Sequence, residues 1–155
     1  MILRLLILLT TVVLTFGLIE ISRNVSAASA DLSKFLWKNR LLFIFAPDRT
    51  HPFFDYLHGS IKARPEEVVD RELIIFEIFE SGLSRVDGTD LDSQTAHALQ
   101  SRFNIPRNKF AVILVGKDGG IKLNRQEQTH IEEIFSLIDT MPMRQEEMRR
   151  KSQSR

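Results

Sequence analysis

The run Leu41-Leu42-Phe43-Ile44-Phe45-Ala46, entered from Arg40, is apolar at every position. Without polar alternation it predicts a central strand covered on both faces, and Pro47 ends it. Thr50-His51-Pro52 then reads as a helix start with proline in the first turn, and Phe53, Leu57 and Ile61 recur at helical spacing. Gly59 and Pro65 interrupt that pattern, which leaves Glu66 to Arg71 as a second short helical piece. Glu72 to Phe79 predicts a second strand, buried in its middle, followed by a polar loop from Glu80 to Asp90. Asp92 caps a helix whose apolar face is Ala96, Leu99 and Phe103, ending near Asn104 and Pro106. A third strand, Phe110 to Val115, meets the turn Gly116-Lys117-Asp118-Gly119-Gly120 and returns as a short strand from Ile121 to Leu123. Thr129-His130-Ile131-Glu132 has the form of a capping box before the amphipathic helix marked by Ile131, Ile134, Phe135 and Ile138, and Met141-Pro142 closes it. Ahead of the first strand, Asp31 to Asn39 is an amphipathic lead-in that should pack on the domain.

The order β-α-β-α-β-β-α favours right-handed parallel crossovers early and an antiparallel hairpin late. That is the thioredoxin core order, an α/β fold with a mixed four-stranded sheet. The segments Leu32-Ser33-Lys34-Phe35, Phe45-Ala46-Pro47-Asp48-Arg49, Gly82-Leu83-Ser84-Arg85-Val86-Asp87-Gly88 and Gly116-Lys117-Asp118-Gly119-Gly120 resemble a thioredoxin-like, peroxiredoxin-related family of unknown function. The family has bacterial exported members, and related domains occur in vertebrate sushi-repeat-containing extracellular proteins. The resemblance runs from about Leu32 to Arg150 on domain-size grounds. It implies the fold, and it brings no activity that could be carried over.

Composition changes the picture in three ways. The N-terminus has Arg4 before an apolar run from Leu5 to Ile19 and an Ala28-Ser29-Ala30 site, so residues 1–30 read as a signal peptide, residues 31–143 as the domain and residues 144–155 as a basic polar tail. The expected location is exported, periplasmic or secreted; the alternative is an anchor retained at residues 5–19, the one case in which a membrane becomes a partner. Removing residues 1–30 leaves 19 basic and 19 acidic residues, a net charge of zero that speaks against nucleic acid. The remaining basic cluster, Arg149-Arg150-Lys151 with Arg155, reads as a solvated frayed end. Finally, there is no cysteine, so dithiol exchange and peroxidase chemistry are excluded and stability rests on packing. His51, His58, His97 and His130 follow no metal-ligand pattern, and neither a metal nor a cofactor is expected.

The resemblance also implies where a site would lie, because thioredoxin-like proteins place their chemistry on the loop after the first core strand. Here that loop is Ala46-Pro47-Asp48-Arg49-Thr50. With the first strand between the second and third, Asp48, Arg49, His51, Arg85 and Asp87 are expected to converge as ligand- or partner-binding candidates. Asp48 with Arg49 reads first as a loop-stabilising pair or cap. The binding reading makes Arg49 and Arg85 forked donors to an anion near a helix N-terminus. The preferred function is a noncatalytic binding or interaction module for an exported protein or an anionic small molecule, and no catalytic residue is assigned. The alternative is a cysteine-independent enzyme using Asp48, Arg49 and His51.

Overall fold

The computed structural model describes residues 30–154. The expected signal segment therefore lies outside the described residues, apart from Ala30. Six strands and five helices follow one another: β1 (Arg40–Ala46), α1 (Pro52–Lys62), α2 (Pro65–Asp70), β2 (Leu73–Phe79), β3 (Ser84–Val86), β4 (Thr89–Leu91), α3 (Ser93–Arg102), β5 (Ala111–Val115), β6 (Ile121–Arg125), α4 (Ile131–Asp139) and α5 (Pro142–Gln153). The lead-in contributes one 3-10 turn, Ser33–Phe35.

The strands form one mixed sheet in the order β4-β3-β2-β1-β5-β6. β1 pairs in parallel with β2 and antiparallel with β5, so it is central, and every residue in it is buried. Its alternation feeds two cores at once. Leu42, Ile44 and Ala46 face Phe54, Leu57 and Ile61 of α1 and the Ile131, Ile134, Phe135 and Ile138 stripe of α4. Leu41, Phe43 and Phe45 face Ala96 and Leu99 of α3, with Leu32 and Phe35 of the lead-in packed against them. Phe43 is the hub of the second core, 4.6 Å from the Phe76 ring and 4.8 Å from the Phe103 ring, centroid to centroid. Such aromatic pairs add to the burial of 150–250 Å² that each large ring brings, on a general scale of about 1 kcal/mol per pair.

Four expectations are corrected. The sheet has six strands rather than four, because the segment expected as a polar loop folds into the β3–β4 hairpin. Its two-residue connection is Asp87 (φ 45°) and Gly88 (φ 78°), the double left-handed geometry that matches strand twist. Gly59 does not interrupt α1, which runs through it to Lys62. Thr129 does not form a capping box. His130 is the N-cap of α4, and the Thr129 hydroxyl donates to the Glu127 carbonyl at 3.0 Å while Glu132 pairs with Arg64. Last, the expected frayed tail is the helix α5. Its one buried side chain is Arg144, and it is held by charge: Arg144 reaches Asp70 and Asp139, and Glu147 receives a forked pair of bonds from Arg40, both at 3.2 Å, with Lys117 at 2.7 Å.

Candidate functional site

Three loops meet where β1 and β2 end and β5 begins. The Ala46 carbonyl accepts from the Glu80 N–H at 3.3 Å, and the Pro47 carbonyl accepts from Ser81 N–H at 3.0 Å and Ser81 Oγ at 3.2 Å. Across the edge, a Glu80 carboxylate oxygen accepts the Asn108 N–H. The β1–α1 loop is thereby sewn to the β2–β3 and α3–β5 loops. A crevice of about 510 Å³ runs beside this edge between Glu80, His97, Asn104 and Arg107.

Asp48 is spent within its own turn. Its Oδ1 accepts the Thr50 N–H at 2.7 Å and the Thr50 hydroxyl at 2.6 Å. Those bonds, the hydroxyl first, hold its carboxyl below the usual carboxylate range. His51 is the N-cap residue of α1 and offers no side-chain cap. Its ring stacks on Phe110 at 5.4 Å and meets the Phe53 edge-on, which leaves Nδ1 buried without a partner among the described residues. The Asp48 carboxylate and the His51 ring are therefore committed to different neighbours.

Arg49 does not pair with Asp48. Its guanidinium lies 5.3 Å from the centre of the Phe79 ring, and one Nη is 3.7 Å from Glu77 Oε2, so 40% of the side chain stays exposed. Glu77 is the acidic residue within the apolar β2, and a buried carboxylate needs partners. It finds them in His58 of α1, whose Nδ1 lies 2.5 Å from Glu77 Oε1, and in Arg49. His58 in turn stacks on Phe54.

Arg85 sits directly across from Glu77 in the β2–β3 register, but the basic side chains that reach the Glu77 carboxylate are Arg49 and His58. Arg85 itself is tied to Asp90 at 3.2 Å. Asp87 does not join them. Its Oδ1 accepts the Ile75 N–H at 2.9 Å near the start of β2, away from the loop edge, where it builds the hairpin turn. The peptide bond before Pro106 is trans. From the sequence His58 is weighed only as a metal ligand and its pairing with Glu77 is missed, although a lone acid in a buried strand is itself a signal that some basic group must lie opposite. Among the described residues no three His, Asp or Glu side chains gather as metal ligands would.

Comparison with known proteins gives this geometry its context. A family model described as "Domain of unknown function (DUF4174)" matches residues 31–147. The chain is 27% identical over 123 residues to the sushi repeat-containing protein SRPX2 of Xenopus laevis, covering 77% of this chain and 27% of that protein. It is 26% identical over 137 residues to the human sushi repeat-containing protein SRPX, covering 86% of this chain and 30% of that one. The chain thus spans less than a third of the length of these curated relatives. Among solved structures it resembles the reduced 2-Cys peroxiredoxin of Plasmodium vivax, with a TM-score of 0.53 at 12% identity, covering 74% of this chain and 84% of that one. It also resembles thioredoxin peroxidase I of Plasmodium yoelii, with a TM-score of 0.54 at 14% identity, covering 74% and 79%. At such identity the likeness shows the fold, which is thioredoxin-like, and this chain has no cysteine with which to share those proteins' named chemistry.

Proposed function

Because the chain belongs to the DUF4174 family, a thioredoxin-like domain of unknown function here without cysteine, we propose that it is an exported, noncatalytic binding module. Its recognition group is Arg49, and what it takes is a carboxylate or other anionic group on a partner. One observation carries this reading: at the loop edge Asp48 is spent on Thr50 and Glu80 on the Asn108 N–H and Arg107, whereas Arg49, three residues before α1, keeps most of its donors free. The face of Phe79 and the distant Glu77 orient the guanidinium without saturating it. A guanidinium with free donors suits a planar anion, because its fork matches a carboxylate in two parallel bonds.

The enzyme alternative lacks its acid–base pair, because Asp48 bonds Thr50 and the His51 ring is packed between Phe110 and Phe53. Arg85 is a lesser contributor than the sequence suggests, being bound by Asp90. Export rests on the Leu5 to Ile19 run and the Ala28-Ser29-Ala30 site, with residues 5–19 either removed or kept as an anchor. The test is crosslinking of the full chain in intact cells followed by mass spectrometry. A defined partner is expected with the unaltered chain and with Arg85→Ala, and lost with Arg49→Ala. The same catch from all three chains would sink the proposal.

A further inference from the structure

The opposite end of β1 carries a second surface, independent of Arg49. Seven large apolar side chains stand exposed on the described domain, and four of them border a single turn, Gly116 to Gly120 between β5 and β6. A methyl group on Gly119 would lie 2.9 Å from Cδ2 of Leu36, so the two are in contact. Leu36 and Ile121 share a cavity of about 380 Å³ that reaches back to Ala30, the first described residue. The Trp37 backbone N–H donates to the Lys117 carbonyl at 2.7 Å, which holds the Trp37 backbone beside the same turn, and Met143 borders that turn from α5.

Trp37 is the decisive residue. Its side chain is among the most costly to leave in water, yet it is 66% exposed, and its backbone is held at φ 63°, a conformation disfavoured for a bulky residue. An indole with one apolar and one polar edge is most at home at a membrane–water interface. The excess charge around it is positive: Lys34 and Lys38 flank it, are exposed and join no ion pair among the described residues, Lys34 lying over the Phe35 ring with Asp31 nearby, while Lys122 and Asp118 neutralise each other at 2.7 Å. The chain reaches this surface from residues 1–29, which contain the apolar run Leu5 to Ile19. The eighteen residues from Ile19 to Leu36 span at most roughly 60 Å, so a bilayer holding that run is within tether length of the patch.

We infer that the Leu36–Trp37–Ile121 face rests on the surface of an anionic bilayer, in the form of the protein that keeps residues 5–19 as an anchor. The inference rests on that anchored form and not on the Arg49 reading, so it can fail without touching it.

The chain's one tryptophan supplies the measurement. Full-length protein is mixed with vesicles of phosphatidylcholine and phosphatidylglycerol, floated to establish binding, and its emission recorded, with bromine-labelled lipids as quenchers. A blue shift and quenching by bromines near the headgroup are expected. In the Leu36→Ser, Ile121→Ser double variant, whose changed side chains are exposed and leave both cores intact, flotation should persist while Trp37 returns toward its emission in water. Lys34→Glu with Lys38→Glu should weaken the shift. Protein that floats with Trp37 unshifted would overturn the inference, as would failure to float. A blue shift that appears without lipid and grows with protein concentration would also overturn it, by making this face a contact between copies of the chain.

Discussion

Two glycines show how far identical chemistry diverges with local geometry. Gly59 lies inside α1 with open space where a Cβ would stand, so Gly59→Ala removes only backbone freedom from the unfolded chain and should stabilise by about 0.5–1 kcal/mol. Gly119 holds φ at 79° in the β5–β6 turn and touches Leu36. There the left-handed backbone sets the cost, since the Leu36 methyl is the movable end of a half-exposed side chain, and Gly119→Ala should destabilise by about 1 kcal/mol. Urea denaturation of the two variants beside the unaltered protein checks both signs; a shift of both midpoints in the same direction would show that the turn is not held as described. The same reasoning separates Asp48 from Arg49. Both are charged loop residues, but one has its oxygens filled by Thr50 and the other retains its donors.

Among the elements, α5 is the unusual one, because it docks through carboxylates and cations with Arg144 as its one buried side chain. Asp70 is pushed down to about 2 by hydrogen bonds from Lys151 and Arg144. Glu147 is raised by its burial but lowered further by Arg40 and Lys117, so its net direction is down. A carboxyl that is more acidic folded than unfolded contributes in full above its unfolded value of 3.8, and that contribution drains as the pH falls toward 2. Solvent screening of the half-exposed Asp70 keeps its share to about 1 kcal/mol or less. The helical signal of α5 should therefore fade between pH 4 and pH 2 before the sheet unfolds, and Asp70→Asn should weaken α5 at neutral pH while flattening that acid response; circular dichroism across the range reads both. This helix also marks the limit of what the sequence discloses. β1, β2 and β5 are legible because burial on both faces demands unbroken apolar runs, and α1, α3 and α4 because one apolar stripe repeats at helical spacing. α5 has no such stripe, and its partners lie as far away as Arg40, so nothing local announces it. The β3–β4 hairpin has strands of three residues whose one local signal is Asp87-Gly88. In the candidate site, the loop was legible by its place after β1, whereas the meeting of Glu77 with His58, nineteen residues away, depends on how α1 crosses the sheet.

At the scale of the whole molecule, the proposed ligand edge and the proposed membrane face stand at opposite ends of β1. Arg49 follows its last residue and Trp37 precedes its first, and seven residues of strand set them roughly 20 Å or more apart. The strand between them is fully buried on both sides, so it acts as a rigid spacer, and a domain resting on Leu36, Trp37 and Ile121 would present Arg49 away from the bilayer toward whatever lies beyond it. Rigidity also implies independence. Sites this distant with no shared side chains behave additively unless some element between them has two arrangements, and a single close-packed sheet offers none. Arg49→Ala should accordingly leave the Trp37 emission on anionic vesicles unchanged, and the Leu36→Ser, Ile121→Ser variant should capture the same crosslinked partner in detergent-solubilised form as the unaltered chain. If loss of the membrane face also abolished partner capture in detergent, the two ends would be coupled through the sheet, and the partner's contact would have to extend along the domain rather than sit at the loop edge alone.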